Sequence, residues 1–218
     1  MGINLVVAVT DGEWFEVLRR QPNLNEVNFW SPSAKNFHAL QPGELFLFKL
    51  KGPHNVIVGG GIFAYSTTLP CSLAWETFKE ANGARSAEEL RARTARLRAT
   101  GPGDREDFTI GCRILTQPCF FDERDWIQVP ESWSKNIVSL KTYNTDDRDG
   151  LALWDAFGGR LTQPRHSGMS DEGVRFGEPH LVRPRLGQGA FRILVADVYR
   201  RRCVIRSEEH TSELQSRF

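Results

Sequence analysis

The four residues Asn28, Phe29, Trp30 and Ser31 combine side chains that can bind a flat ligand. The two aromatic rings offer apolar faces for stacking, and the amide and hydroxyl groups offer hydrogen bonds. A Pro-Ser turn follows directly, so we expect these residues at the end of a strand beside a loop. Such a position is typical of a pocket wall and also of packing into the core, and the sequence leaves both alternatives open.

An acidic cluster of Asp146, Asp147 and Asp149 is the strongest candidate for a metal site. Carboxylates are suitable ligands for hard cations. The cluster stands next to Gly150, however, and this composition is more typical of a solvated turn. We therefore interpret it as a turn and predict no metal ion there.

The cysteines and the later histidines show no metal-binding spacing. The cysteines are Cys71, Cys112, Cys119 and Cys203. No pair has C-x-x-C spacing, so neither a zinc knuckle nor a redox motif is indicated, and we expect the first three to be buried and reduced. His166 and His180 lie in Pro-rich sequence without a paired Cys or Asp. The sequence thus assigns no catalytic residue, no metal ligand and no cofactor.

Charge is unevenly distributed along a chain that is almost neutral as a whole. The 218 residues carry a formal net charge of +1, which by itself indicates neither a nucleic-acid nor a membrane partner. Arginines nevertheless gather at residues 85–105 and 183–202. No apolar run is long enough to span a membrane, and the N-terminus has the pattern of a strand, so we expect a cytoplasmic protein.

The central stretch, residues 44–65, predicts the elements that position these side chains. It contains two strands, residues 45–50 and 55–65, and the first is apolar on both faces. The second carries Gly59, Gly60 and Gly61, which mark a bulge, a tight corner, or a close approach of another backbone or a ligand. This hairpin favours a small, curled β-barrel.

The rest of the pattern adds strands and helices around the hairpin. Further strands are predicted at residues 3–9, 26–30, 108–122 and 137–143. Helices are predicted at residues 12–20, 70–82, 86–99 and 151–157. Asp11 or Thr10 can cap the first helix, and Ser86 with Glu89 forms a capping box for the third. The fold class is therefore predicted to be α+β.

Residues 185–205, RLGQGAFRILVADVYRRRCVI, resemble the entry to an HNH endonuclease domain. The catalytic histidines of that family would follow this segment and have no counterpart here. Residues 206–216, RSEEHTSELQS, look like a translated sequencing-adapter oligonucleotide, so we exclude residues 206–218 from the fold. The predicted organisation is a domain at 1–159, a linker at 160–186, the start of a truncated HNH domain at 187–205, and an artefactual tail at 206–218.

A second resemblance covers residues 3–143. NFWSPS, PGELFLFKL and IVGGGIF are similar, in their order, to PUA-like barrels of the EVE and ASCH kind. The whole arrangement resembles the N-terminal region of bacterial HNH restriction endonucleases. This implies an α+β, PUA-like, small curled β-barrel with flanking helices, followed by a linker and the first HNH helix.

The resemblance implies that the chain is the DNA-recognition part of a restriction endonuclease that senses modified or foreign DNA. A flipped base would be held by candidates at the strand end and in the hairpin: Asn28, Phe29, Trp30, Ser31 and Tyr65. Backbone phosphates would be contacted by Arg183, Arg185 and Arg192. A divalent metal ion is expected only for the missing HNH part, so this fragment alone is expected to be inactive. Many HNH nucleases cut as dimers, which makes a homodimer a further expectation. The alternative is an RNA- or nucleotide-binding PUA-like module without nuclease activity.

Overall fold

The computed structural model describes residues 2–98, 107–162 and 189. The predicted HNH start at 187–205, apart from Gly189, lies outside the described residues, as do the tail at 206–218 and most of the predicted linker. Arg183, Arg185 and Arg192 also lie outside them. None of the helices in the described ranges is long and apolar enough to cross a membrane.

The described residues form strands and helices that surround one sheet. The strands are β1 (Asn4–Thr10), β2 (Glu26–Ser31), β3 (Leu45–Leu50), β4 (Val56–Pro70), β5 (Thr109–Phe120), β6 (Ile127–Gln128) and β7 (Leu140–Asn144). The helices are α1 (Gly12–Arg19), α2 (Cys71–Phe78), α3 (Ala87–Arg98) and α4 (Arg148–Thr162). Short 3-10 turns occupy Lys79–Asn82 and Glu123–Asp125.

The sheet has the strand order β2-β5-β4-β3-β1-β7, and β6 pairs with β4. Strands β1 and β3 are parallel, and the other pairings are antiparallel. All six residues of β3 are buried, as the apolar sequence on both of its faces predicted. The α+β class, with a curled sheet and flanking helices, is confirmed.

Helices cover both faces of the sheet because the strands alternate apolar side chains between them. On one face Phe46 and Phe48 of β3 pack with Trp14 and Leu18 of α1. On the other face the neighbouring β3 residues Leu45 and Leu47 pack with residues of α4: Leu153, Trp154 and Phe157. A third cluster joins α2 to β5 through Ala74, Phe78, Ile110, Cys112 and Ile114.

The glycine run in β4 allows other backbones to approach closely. A Cβ atom on Gly59 would stand 2.1 Å from the carbonyl oxygen of Cys119, and one on Gly60 would stand 2.8 Å from that of Phe46. The register of β4 against β5 shifts between Gly60 and Ile62. The predicted bulge and close backbone approach are therefore confirmed.

The largest differences between predicted and observed boundaries concern α2, β4 and α4. The helix predicted at residues 70–82 ends at Phe78, because Lys79 has a φ of +46° that no α-helix continues. Strand β4 extends to Pro70, since it pairs along that length with β5. Helix α4 is longer than the predicted 151–157 and passes the predicted domain end at 159, reaching Thr162.

Candidate nucleic-acid interface

Asn28, which the sequence predicted as a base reader, lies in the core. Its side chain is fully buried, and its amide nitrogen donates to Asn82 Oδ1 at 2.9 Å and to Cys112 Sγ at 3.3 Å. The Asn82 amide in turn donates to the carbonyl oxygens of Ala74 and Lys79. Because Asn28 serves to join β2 to the end of α2, it cannot contact a base in this conformation.

Phe29 is also a core residue and not part of a pocket wall. Its ring centroid lies 4.8 Å from that of Phe46 and 5.2 Å from that of Trp14. It is 8% exposed, so its faces are already covered by other rings.

The predicted cluster in β2 does not converge on one site, because alternate residues of a strand face opposite sides. Trp30 is half-buried on the same face as Asn28, and its Nε1 donates to the carbonyl oxygen of Asn82 at 3.0 Å. Ser31 is directed to the opposite face, and its hydroxyl donates to the carbonyl oxygen of Ser33 at 3.0 Å. Four consecutive residues therefore contribute to two different surfaces.

Tyr65, the candidate in the hairpin, lines a cleft of about 210 Å³. The cleft lies between β4 and residues 35–44, which we call the covering segment. Its apolar wall consists of Phe37, Leu40 and Phe63. His38 and Gln41 supply polar groups at the rim, and both are exposed. The cleft thus combines flat apolar surface with groups that can hydrogen-bond, as binding sites for small planar molecules do.

The covering segment is held where β3 stops pairing with β4. The pairing of these strands ends at Leu45 and Ile62, and the chain before β3 continues along β4. The Gly43 N–H donates to the carbonyl oxygen of Phe63 at 2.8 Å, and the Phe63 N–H donates to that of Glu44 at 2.8 Å. Further along, the Ser66 hydroxyl donates to the carbonyl oxygen of Phe37 at 3.2 Å. These bonds fix one wall of the cleft against the other.

A narrow groove adjoins this cleft and contains Arg113. The guanidinium carbon lies 5.0 Å from the centroid of the Phe37 ring. Its Nε is buried without a hydrogen-bond partner, and within the described ranges no carboxylate forms an ion pair with it. Burial lowers the pKa of Arg113 from its ordinary value. Lys35, Asn36 and Thr67 also line the groove.

The groove is shaped by a close approach at Gly111. A Cβ atom there would stand 2.7 Å from the carbonyl oxygen of Ser33, so a larger residue would push the covering segment and its preceding turn away. Arg98 fastens the same turn from α3: its Nε donates to the carbonyl oxygen of Pro32 and its Nη2 to that of Thr109, both at 2.8 Å. The groove is therefore preformed by α3, β5 and the covering segment.

The arginines of α3 differ in their environments. Arg93 is 5% exposed and contacts both Glu89 and Glu13. Arg91 and Arg98 lie over the ring of Phe108 at 5.4 and 5.2 Å. Arg93 is therefore satisfied within the fold.

The thiols and acidic groups of the described residues give no sign of catalytic chemistry. Burial raises the pKa of the Cys112 thiol to about 12, so this thiol is protonated at neutral pH and a poor nucleophile. Cys71 is also buried, and Cys119 is half-buried. Within residues 2–98, 107–162 and 189, no three His, Cys, Asp or Glu side chains are grouped as metal ligands.

Of the residues that line the cleft and the groove, sequence reasoning had named Tyr65 but not Arg113, His38 or Gln41. A signal for Arg113 existed, since it is the one charged residue in the otherwise uncharged stretch TIGCRILTQPCF. A charge inside a buried strand requires a partner or a function. His38 and Gln41 had no comparable signal, because they lie in irregular sequence that pairs with β4 only in the fold.

Comparison with known proteins gives distant structural matches. No protein-family model and no curated protein matches the chain. The crystal structure of ASCH from Zymomonas mobilis matches with 9% identity and a TM-score of 0.44, covering 68% of this chain and 94% of that one. A point mutant of the same protein matches with 8% identity and a TM-score of 0.42, covering 69% and 95%. At these values the similarity assigns neither family nor activity to this chain.

Proposed function

We propose that this chain is a nucleic-acid-binding module of the PUA-like kind that holds a base in the cleft beside Tyr65. The observation that carries the proposal is the pairing of this cleft with a half-buried, uncompensated Arg113 next to it. The cleft offers apolar surface for a base and polar groups at its rim for the base edge. Stacking of a base on aromatic side chains supplies binding energy without requiring one sequence.

Binding to matched oligonucleotides tests this proposal. Single-stranded DNA and RNA of one sequence, and the corresponding duplexes, are titrated at several salt concentrations. Replacing Tyr65 with Ala is expected to lower the affinity about 10-fold or more, given the usual cost of losing a base–aromatic contact. His38→Ala is expected to weaken binding, whereas His54→Ala, an exposed histidine outside the cleft, should leave it within about twofold. Equal affinity for all three variants and the wild type would remove the cleft from the proposal.

The finer proposal is that this module is the DNA-recognition part of an HNH restriction endonuclease that reads modified or foreign DNA. It rests on the resemblance of residues 185–205 to the HNH entry segment. Sequencing the source locus across codon 205 tests it. A reading frame that continues into a segment with the family's catalytic histidines supports the nuclease, and an unrelated continuation argues against it. Trp30 is retained here as a proposed contact, and Trp30→Ala should then abolish any preference for modified duplex.

The alternative is an RNA- or nucleotide-binding module without nuclease activity. The size of the cleft suits one unpaired base, and unpaired bases are what RNA-binding modules read most often. Tighter binding to structured RNA than to the matched DNA would favour this alternative.

A further inference from the structure

We infer that the groove at Arg113 is a phosphate subsite, so that the neighbouring cleft takes a phosphorylated nucleotide in preference to a free base or nucleoside. The inference rests on the proposed function for the occupant of the cleft. The phosphate itself is argued separately, from the charge and geometry of the groove.

The charge argument begins with how the other shielded arginines are satisfied. Arg93 is compensated by the carboxylates of Glu89 and Glu13. Arg98 donates to two carbonyl oxygens, as described above. Arg113 has neither kind of partner among the described residues, and its Nε–H has no acceptor. Burying a guanidinium Nε–H without an acceptor is unfavourable, so this position favours a ligand that brings an acceptor, and the positive charge favours an anionic one.

The neighbours of Arg113 suit a phosphate more than a carboxylate-bearing protein partner. Lys35, a second cationic residue, and Asn36, an amide residue, also line the groove, and both are exposed. A guanidinium presents a planar fork of donors, the geometry that fits phosphate oxygens. The contact with Phe37 holds this fork in place.

The dimensions of the groove decide which part of a nucleotide it admits. Its free space is about 10 Å³, which is enough for about one oxygen-sized atom and too small for a base. The adjoining cleft has about 210 Å³ and can take the ring. Phe37 and Ser66 line both spaces, so the two are contiguous. A nucleotide could therefore place its base in the cleft while a phosphate oxygen reaches Arg113.

The test compares ligands that differ only in the phosphate. The common nucleosides and their 5′- and 3′-monophosphates are titrated into the full chain, with binding followed by calorimetry and by the NMR signal of the Arg113 Nε–H. We expect a monophosphate to bind about 10- to 100-fold more tightly than its nucleoside, the usual range for charge-assisted hydrogen bonds. Arg113→Gln should reduce this ratio to about twofold or less. Arg124→Gln removes a mostly exposed arginine and serves as the control, and this variant should keep the wild-type ratio of monophosphate to nucleoside affinity.

A second substitution at Arg113 and a measurement of folding complete the test. Arg113→Lys retains the charge without the fork, and we expect it to keep only part of the preference for phosphate. Thermal unfolding of each variant identifies any loss of folding. If a variant does not fold, the NMR titration of the wild-type protein with inorganic phosphate decides whether the groove binds phosphate.

The outcomes separate this inference from the proposed function. Equal binding of nucleosides and monophosphates would overturn the phosphate subsite and leave the base cleft standing. An Arg113 signal that does not respond to inorganic phosphate or to any monophosphate would also overturn the subsite. A response to inorganic phosphate without binding of any nucleoside or oligonucleotide would uphold the anion site and overturn the proposed function.

Discussion

At the scale of single residues, Lys49, Arg93 and Arg113 are cationic side chains that lie wholly or partly out of solvent and differ in their partners. Lys49 is 2% exposed, and its ammonium donates to the carbonyl oxygen of Leu50 and to Asn55 Oδ1 at 2.9 and 2.8 Å. It also lies 5.1 Å from the Trp133 ring centroid, and burial lowers its pKa. Arg93 has carboxylate partners, and Arg113 has none among the described residues. Lys49 and Arg93 thus have hydrogen-bond or ion-pair partners within the fold, whereas the Nε of Arg113 has none among the described residues, which is why we propose Arg113 as a site residue.

The ion pair between Arg93 and Glu89 predicts how the free energy of unfolding depends on pH. Desolvation alone would raise the pKa of Glu89, but the Arg85 N–H and the Arg93 guanidinium hold it below its ordinary value. A depressed pKa in the folded state means that the stabilisation is present above the unfolded pKa of about 4.3 and is lost as pH falls through the folded value. Glu89→Gln should therefore cost about 1–3 kcal/mol at pH 7 and progressively less below pH about 4.3.

Urea unfolding at pH values between 7 and 3 measures this difference. Glu131→Gln is the matched control, because Glu131 is exposed. Its free energy of unfolding should follow that of the wild type at each pH. A cost for Glu89→Gln that stays constant down to pH 3 would contradict the assigned role of the carboxylate.

At the scale of elements, the glycine run of β4 decides whether the sheet can curl. Gly59→Ala would place a methyl group 2.1 Å from the Cys119 carbonyl oxygen, which belongs to the backbone of β5 and cannot rotate away. We expect the substitution to destabilise the fold by about 2–4 kcal/mol, because the strand pairing must shift. Gly159 in α4 is the control: a Cβ atom there meets nothing within 4 Å, so Gly159→Ala should be neutral or stabilising by up to about 1 kcal/mol. Thermal unfolding compares the two, and equal effects would show that β4 tolerates the added atom.

Local chemistry made several elements predictable from the sequence. Asp11 caps α1 as predicted, since its Oδ1 accepts from the Trp14 N–H at 2.7 Å. One half of the predicted capping box of α3 is confirmed, with the Glu89 N–H donating to Ser86 Oγ at 3.2 Å, while the Glu89 carboxylate accepts from the Arg85 N–H. The end of α2 was not predictable, because the left-handed φ of Lys79 has no signal in its residue type. Strand β4 was predicted too short, since its last residues are defined by pairing with β5 and not by their own composition.

The candidate site was less predictable because it depends on contacts between distant residues. The sequence pattern correctly placed aromatic and polar residues at the end of β2. It could not show that Asn28 would hydrogen-bond to Asn82 in the core. Tyr65 was named as a candidate from its place in the hairpin. Arg113 and His38 line adjoining spaces only because the covering segment packs against the strands in the fold.

At the scale of the whole molecule, a near-neutral chain must concentrate its positive charge if it is to bind nucleic acid. The net charge of +1 makes long-range attraction weak. Affinity would then depend on local contacts such as Arg113 and Lys35 and only modestly on salt, since few phosphates would be neutralised. This fits recognition of a single nucleotide better than wrapping of a long duplex.

The edge of the sheet at β2 contacts Gly189, a residue that follows the predicted linker. The Gly189 N–H donates to Glu26 Oε1 at 3.0 Å. A Cβ atom on Gly189 would stand 2.7 Å from the same oxygen and 3.1 Å from the Phe78 ring, so a larger residue would require the Glu26 carboxylate to move. This hydrogen bond joins Gly189 to β2.

This contact predicts a protected amide at Gly189. Because a hydrogen bond to a charged acceptor slows exchange with solvent, Glu26→Ala should speed hydrogen–deuterium exchange of the Gly189 amide about 10-fold. Glu131→Ala removes an exposed carboxylate elsewhere and should leave the rate unchanged. Exchange is measured by NMR on the full chain at fixed pH and temperature. If Glu26→Ala and Glu131→Ala give the same rate as the wild type, the segment that contains Gly189 is not attached to β2 in solution, and any coupling between base recognition and that segment must use another route.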